Sequence, residues 1–307
     1  MMIGMMLRYT LRLAWVAAVW WVFSLNPSHA CTLWGAAGNA VEGGGALITK
    51  NRDWTPDHRQ QLNIVRPKEG YASVVLAAVG GAEPGTKAGV NEKGLVMVTA
   101  TVNQVPAAER KRVDQKKGLM SHLLARCAGV EDVLKQIELF RRPVFYLVGD
   151  RKEIAVIEVA PDGRRSITRT DSGTLHHTNH YGAIDPLPDL KRKPGASSTN
   201  RSARIEKLLK NPNRPYTADD FIRFSQDRTA GPDNSIWRTG SDPHKTRSLA
   251  TWLVAIPASG SPRLYLKTAD PGEAERVCRL AVDDALRVSD RDQISLDSDL
   301  CNGPTPN

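Results

Sequence analysis

The 307-residue chain lacks the features that mark several classes of protein. Aromatic residues make up 6% of it, and its 42 Lys and Arg are scattered rather than clustered. No recognition motif interleaves the two kinds, which argues against a nucleic-acid-binding protein. No Gly/Ser linker, low-complexity tract or internal repeat divides the chain, which argues for one domain. No carboxylate or cysteine completes a zinc-type spacing around His176, His177 and His180, and on a strand His176 and His177 would face opposite sides. Helices and strands do not alternate in the βαβ rhythm of a doubly wound parallel sheet. Cysteine is sparse, with four in all.

What is present begins with a leader. Arg8 and Arg12 precede an apolar run from Leu13 to Leu25, and no acid is found there. Asn26 and Pro27 break the run before Ser28-His29-Ala30, whose small residues suit a signal peptidase. This is the layout of a secretory signal. The run is short of the roughly 20 residues that a spanning helix needs. Residues 1–30 are therefore read as a signal peptide and residues 31–307 as the domain, in a periplasmic or secreted protein. An uncleaved anchor and a lipoprotein are the alternatives. The residues before Cys31 lack the apolar residue usual in a lipidation signal. Two of the charges behind the net +9 belong to the leader. The remaining excess suits a solvated basic surface, or the steering of an anionic substrate or membrane.

Cleavage after Ala30 would leave a thiol and an α-amine on Cys31. The amine has a reference pKa of roughly 7.7–8.0 and the thiol one of about 8.5, so both exchange protons near neutrality. That is a nucleophile with its own base attached. Of the other cysteines, Cys278 and Cys301 could staple the tail of an exported protein. Cys127 ends an apolar helical pattern and reads as a buried thiol. Cys31 is then unpaired.

The chain next predicts a short strand from Cys31, a turn at Gly43-Gly44-Gly45 and a second strand over Ala46–Asp53. This pairing returns Asp53 toward Cys31, where a carboxylate could orient the α-amine. It could equally be a turn residue at a strand end. Strands are expected over Leu62–Val65, Ser73–Val79, either side of the turn Asn91–Gly94, Val144–Val148 and Ile154–Val159. A further run covers Arg165–Tyr181. Thr99–Asn103 places polar side chains where a strand leaves its sheet. Helices are expected over Gly118–Cys127 and Val130–Phe140, over Arg201–Leu209 capped by Ser198-Thr199-Asn200, and from Thr217. After strands Ser248–Ile256 and Arg263–Lys267, one helix is expected around Glu273–Arg287. Lys191–Pro194 reads as a basic loop. Asn179, at a strand end, could offer an amide N–H to a developing oxyanion, or could simply be a turn asparagine. Arg201 gains nothing from the dipole at its helix start, so either solvent or a separate partner accounts for it. The pattern predicts an α+β protein with helices packed on largely antiparallel sheets.

The start CTLWGA, the run Asn51-Arg52-Asp53-Trp54, the hairpin GVNEKGL and Thr178-Asn179 resemble the choloylglycine hydrolase family, which holds bile salt hydrolases and penicillin V acylases. Thr178–His180 and the stretch WLVAIP…RLYLKTADPGE are similar to isopenicillin N acyltransferase-like peptidases. The resemblance covers most of residues 31–307. It implies a four-layer αββα N-terminal nucleophile (Ntn) hydrolase fold, cleavage of linear amide C–N bonds and no cofactor. It implies Cys31 as nucleophile with its α-amine as base, Asp53 beside that amine, Asn179 at the oxyanion site and Arg201 supporting the cysteine. Two positions depart from the pattern. The family arginine three residues before the aspartate is Lys50 here, with Arg52 next to Asp53. Thr101 stands where a second oxyanion asparagine is expected, and Asn103 lies two residues on. Relatives often form homo-oligomers.

The reading is thus an exported amidase acting on a small N-acyl substrate: penicillin V, an N-acyl homoserine lactone, a bile salt or an N-acyl amino acid. An acyltransferase would share the acyl-enzyme. A non-catalytic exported binding protein would keep full effect with Cys31→Ser.

Overall fold

The computed structural model describes residues 30–81, 83–115, 117–184, 192–210, 213–288 and 292–304. Residues 1–29 of the expected leader, and Lys191 of the expected basic loop, lie outside them.

Two antiparallel sheets face each other. The first carries β1 (Ala30–Ala37), β2 (Ala46–Trp54), β10 (Gly173–His177), β11 (Arg247–Ile256), β12 (Arg263–Thr268) and β13 (Arg276–Ala281), in the order β10-β1-β2-β11-β12-β13. The second carries β3 (Arg59–Val65), β4 (Ser73–Val79), β5 (Gly85–Asn91), β6 (Val96–Thr101), β7 (Val144–Gly149), β8 (Ile154–Val159), β9 (Arg165–Thr170) and the short β14 (Gln293–Ile294), in the order β14-β3-β4-β5-β6-β7-β8-β9.

The period-2 rule sorts each strand between two cores. Cys31, Leu33, Ile48, Trp252 and Val254 point inward, onto Leu76, Val98, Phe145 and Leu147 of the facing sheet. Trp34, Leu47 and Leu253, one residue out of phase, meet helices α4 (Ala196–Leu209) and α5 (Ala218–Ser225) on the far side. The second sheet's outer residues Met97, Tyr146 and Val148 pack on α2 (Leu119–Arg126) and α3 (Val130–Lys135). The result is the expected αββα stack. Helices α1 (Ala107–Arg112) and α6 (Val282–Val288) complete the set among the described residues.

The β1–β2 turn needs glycine. Gly45 has φ +85°, and a Cβ there would lie 2.0 Å from the Ile256 carbonyl oxygen. The later turn is locked by Asn91. Its Oδ1 accepts the N–H groups of Lys93 and Leu95, and its Nδ2 donates to the carbonyls of Leu124 and Cys127, tying the hairpin to the end of α2.

Three expectations change. The run Arg165–Tyr181 is two strands in different sheets, because the chain breaks at Gly173 (φ +146°) and crosses from β9 to β10. The helix expected around Glu273–Arg287 is edge strand β13 followed by α6, and a disulfide between Cys278 and Cys301 holds the tail to that strand. Helix α4 begins at Ala196 with no side-chain cap, since Ser198 is turned inward. The capped start at Thr217 does form, as a reciprocal capping box with Asp220.

Candidate active site

β1 and β2 open at the same end of the sandwich, and their register sets Ala30 opposite Asp53 and Cys31 opposite Arg52. Cys31 is held at both backbone groups. Its N–H donates to Asn179 Oδ1 at 2.9 Å, and its carbonyl accepts from Arg201 Nη1 at 2.5 Å. Arg201 is fully buried. It also donates to Thr32 Oγ1 and, through Nη2, to the same Asn179 oxygen at 2.8 Å. Burial brings the Arg201 guanidinium down to about 10, with the nearby Asp53 charge opposing the shift.

Asn179 makes a different bond from the one expected at its amide. Nδ2 donates to the Thr101 carbonyl at 2.8 Å. One of its two hydrogens is thereby committed, which leaves one for another acceptor. The Asn179 backbone is fixed as well: its N–H donates to Ser198 Oγ, and its carbonyl accepts the Asn103 N–H. Thr101 and Asn103 thus reach Asn179 through their main chains. Ser198, which the helix pattern assigns to a cap, is a buried post for Asn179 instead.

Asp53 is fully buried. Its Oδ1 accepts from Ser248 Oγ at 2.6 Å, and its Oδ2 has no hydrogen-bond partner among the described residues. Burial pushes its carboxyl up, against the pull of Arg201, Arg238 and the Ser248 bond. An unpaired buried carboxylate oxygen is costly, and it lies across the ladder from Ala30, the residue before Cys31.

Lys50 and Arg52 share the inward face of β2 with Ile48. Lys50 Nζ donates to the carbonyls of Thr99 (2.6 Å) and Lys87 (3.0 Å), so this lysine pins the β5–β6 hairpin where the family pattern has an arginine. Burial lowers it to about 8. Arg52 lies over the Trp54 ring and donates through Nε to Gln60 Oε1 at 2.9 Å. Sequence reading misses Gln60, Ser248 and Arg238. Each is brought in by register or by a loop, and only pairing β2 with β11 would have placed Ser248 beside Asp53.

Thr99, Thr101 and Lys87 also line a cavity of about 340 Å³, walled by Leu119, Met120 and Tyr146. Gln60 lines a second, of about 810 Å³. The histidines have other partners. His177 Nε2 meets Glu158 at 2.7 Å, His176 meets Ser202, and His180 meets Ser198. Among the described residues no three His, Cys, Asp or Glu side chains converge as metal ligands.

The arrangement is a thiol whose own backbone nitrogen is pinned, with a carboxylate one ladder position away whose Oδ2 has no partner among the described residues. Residues 41–271 match the family described as acyl-coenzyme A:6-aminopenicillanic acid acyl-transferase. Asp53, Asn179 and Arg201 fall inside the match, and Cys31 precedes it. No curated protein matches. Among solved structures, a mutant conjugated bile acid hydrolase from Clostridium perfringens superposes with TM-score 0.50 at 12% identity, covering 87% of this chain and 94% of that one. The Caenorhabditis elegans ortholog of N-acylethanolamine-hydrolyzing acid amidase superposes with TM-score 0.51 at 11% identity, covering 75% of this chain and 94% of that one. These likenesses establish the fold.

Proposed function

The chain belongs to the acyl-coenzyme A:6-aminopenicillanic acid acyl-transferase family, and from that premise we propose that it is an exported amidase of the N-terminal nucleophile type, with Cys31 exposed by removal of residues 1–30. The observation that carries the reading is Asp53 Oδ2, buried opposite Ala30 and without a hydrogen-bond partner among the described residues. Cleavage at Ala30 removes the residue facing Asp53 and puts an α-amine on Cys31. A carboxylate there holds the α-ammonium that forms when the amine takes the thiol proton.

The thiolate then attacks the acyl carbonyl of the amide. The C–S bond forms, and the carbonyl electrons move to oxygen. The uncommitted hydrogen of Asn179 Nδ2 serves this oxyanion, and such a donor is worth roughly 3–4 kcal/mol. The α-ammonium gives its proton to the departing nitrogen as the C–N bond breaks. Water, deprotonated by the same amine, opens the thioester and frees the acid. Arg201 and Asn179 fix the backbone of Cys31 throughout, so little reorganisation is needed. The part-apolar cavity beside Thr99 and Thr101 takes the acyl group.

Two structures of this fold support amide cleavage by what they are: a conjugated bile acid hydrolase and an N-acylethanolamine-hydrolyzing acid amidase. The family's own description names an acyl-transferase, which favours a second reading in which an amine replaces water at the thioester. The test is hydrolysis of a panel of N-acyl amides by the chain beginning at Cys31, with and without an acyl-CoA and an amine acceptor. Activity abolished by Cys31→Ala supports the proposal. Activity indifferent to that change overturns it, and acyl transfer exceeding hydrolysis moves the assignment to the second reading.

A further inference from the structure

One buried pair takes no part in the chemistry above. His177, at the end of β10, is 7% exposed, and Glu158, on β8 of the facing sheet, is 2% exposed. Glu158 Oε1 accepts from His177 Nε2 at 2.7 Å and from the N–H groups of Gly182 and Ala183 at 2.7 and 3.1 Å. Its Oε2 accepts from the N–H groups of Ala183 and Ile184 at 3.2 and 2.9 Å. Burial works against the charged form, yet His177 and these N–H groups hold the Glu158 carboxyl below its usual value. A carboxyl surrounded by donors alone is ionised, and it can only accept.

The other ring nitrogen also faces an acceptor, since His177 Nδ1 lies 3.0 Å from the Thr178 carbonyl oxygen. With a carbonyl at Nδ1 and a carboxylate at Nε2, both nitrogens donate, and the ring is the imidazolium. Phe145 packs against it, 4.1 Å between centroids, a contact that favours a cation. The Thr178 carbonyl belongs to the same peptide unit as the Asn179 N–H. That unit is therefore gripped at both ends, by His177 at its oxygen and by Ser198 Oγ at its nitrogen. Beyond Asn179, Glu158 takes hold of the chain again at Gly182, Ala183 and Ile184.

We infer that His177 and Glu158 are a positioning pair for the oxyanion donor. The imidazolium fixes the Thr178–Asn179 peptide, and Glu158 fixes both the ring and the chain beyond it, so that the free hydrogen of Asn179 Nδ2 is aimed at the developing oxyanion. The inference rests on the amidase reading. Both residues act through Asn179. A donor aimed at the oxyanion works in the transition state rather than in substrate binding, so its misplacement lowers kcat and spares KM.

Two variants separate the two arms of the ring. Glutamine can place an amide N–H where Nε2 stands, so His177→Gln keeps the Glu158 bond and gives up the Thr178 one. Asparagine can place one where Nδ1 stands, so His177→Asn does the reverse. Both are compared with the unaltered chain beginning at Cys31, on an N-acyl amide that it cleaves. His177→Gln should melt near the unaltered protein yet lose kcat on the order of tenfold to a hundredfold, at unchanged KM. His177→Asn should melt lower and keep most of its kcat. In the unaltered protein, nuclear magnetic resonance of isotope-labelled histidine at neutral pH should show a proton on both His177 nitrogens. Full kcat in His177→Gln overturns the inference, and decides alone if His177→Asn does not fold. A kcat that falls in step with melting temperature across the two variants also overturns it, since the pair would then serve the fold only. A His177 nitrogen without a proton overturns it as well. Cleavage of no amide by the unaltered chain overturns the amidase reading and the positioning role with it, before any variant is compared.

Discussion

The side-chain oxygen of Asn179 accepts the backbone N–H of Cys31 at 2.9 Å, joining residues 148 positions apart. The same oxygen accepts from Arg201, and the same side chain donates to Thr101. One buried amide therefore ties the start of β1, the end of β6 and helix α4 into a single frame around the thiol.

Replacing that amide should cost both stability and activity. Asn179→Leu strands the Cys31 N–H, an Arg201 N–H and the Thr101 carbonyl, each at roughly 1–3 kcal/mol. Urea unfolding should show a loss of several kcal/mol in total. Asn179→Asp keeps the acceptor for Arg201 but cannot donate to Thr101, so its loss should be smaller. A loss under about 1 kcal/mol for Asn179→Leu would show that water replaces the amide freely.

Arg201→Lys should behave as a severe change despite keeping the charge. A single ammonium cannot reach the Cys31 carbonyl, Thr32 Oγ1 and Asn179 Oδ1 together, as the planar fork does. Amide turnover should fall at least a hundredfold, with a stability loss of about 2–4 kcal/mol. Retention of full turnover would show that the fork is dispensable.

Stability should rise with pH between about 8 and 10.5. Burial holds Lys50 at about 8 against a free value of 10.5, and Lys87 is lowered to about 8 in the same way. Between those values the unfolded chain binds more protons than the folded one, so raising the pH favours folding. The neutral amine of Lys50 can still donate to Thr99 and Lys87. Lys50→Met should reduce this slope in chemical denaturation at several pH values, leaving the part due to Lys87. An unchanged slope would place the proton uptake elsewhere.

The disulfide between Cys278 and Cys301 closes a sequence separation of 23 residues. The chain-entropy estimate for such a loop is about 3 kcal/mol. Changing both cysteines to alanine should lower stability by that order while leaving amide turnover at 25 °C unchanged, because the bridge lies at edge strand β13 away from Cys31. A stable variant with lost turnover would link the tail to the site.

Much of this was legible in the residues. Cys31 and Asp53 are joined by a glycine turn of obvious type, so their approach follows from strand pairing alone. The β-rich runs marked most strands of both sheets, though not β13 or β14, and the Thr217 cap was explicit. What was hidden depended on long-range register. Gly173 redirects the chain between sheets without changing its β-rich composition, so β9 and β10 read as one run. Ser248 looks like an ordinary strand residue until pairing puts it against Asp53, and Gln60 does so until the facing sheet brings it to Arg52. Ser198 has the composition of a cap, but the burial of Asn179 claims its hydroxyl. In β13 the charges Arg276 and Arg279 stand three apart, which suits a helix, and only pairing with β12 makes the segment a strand.

The central claim is that Cys31 is both an N-terminus and the reactive thiol, and intact-mass analysis of the full-length gene product, purified after expression, before and after thiol alkylation tests it most directly. Cys127, the other free cysteine, is buried and its thiol is pushed up to about 11, so it should react slowly. The account predicts a chain beginning at Cys31 that gains one label there before Cys127 reacts. A chain that keeps its leader, carries lipid on Cys31, or labels first at Cys127 would contradict it.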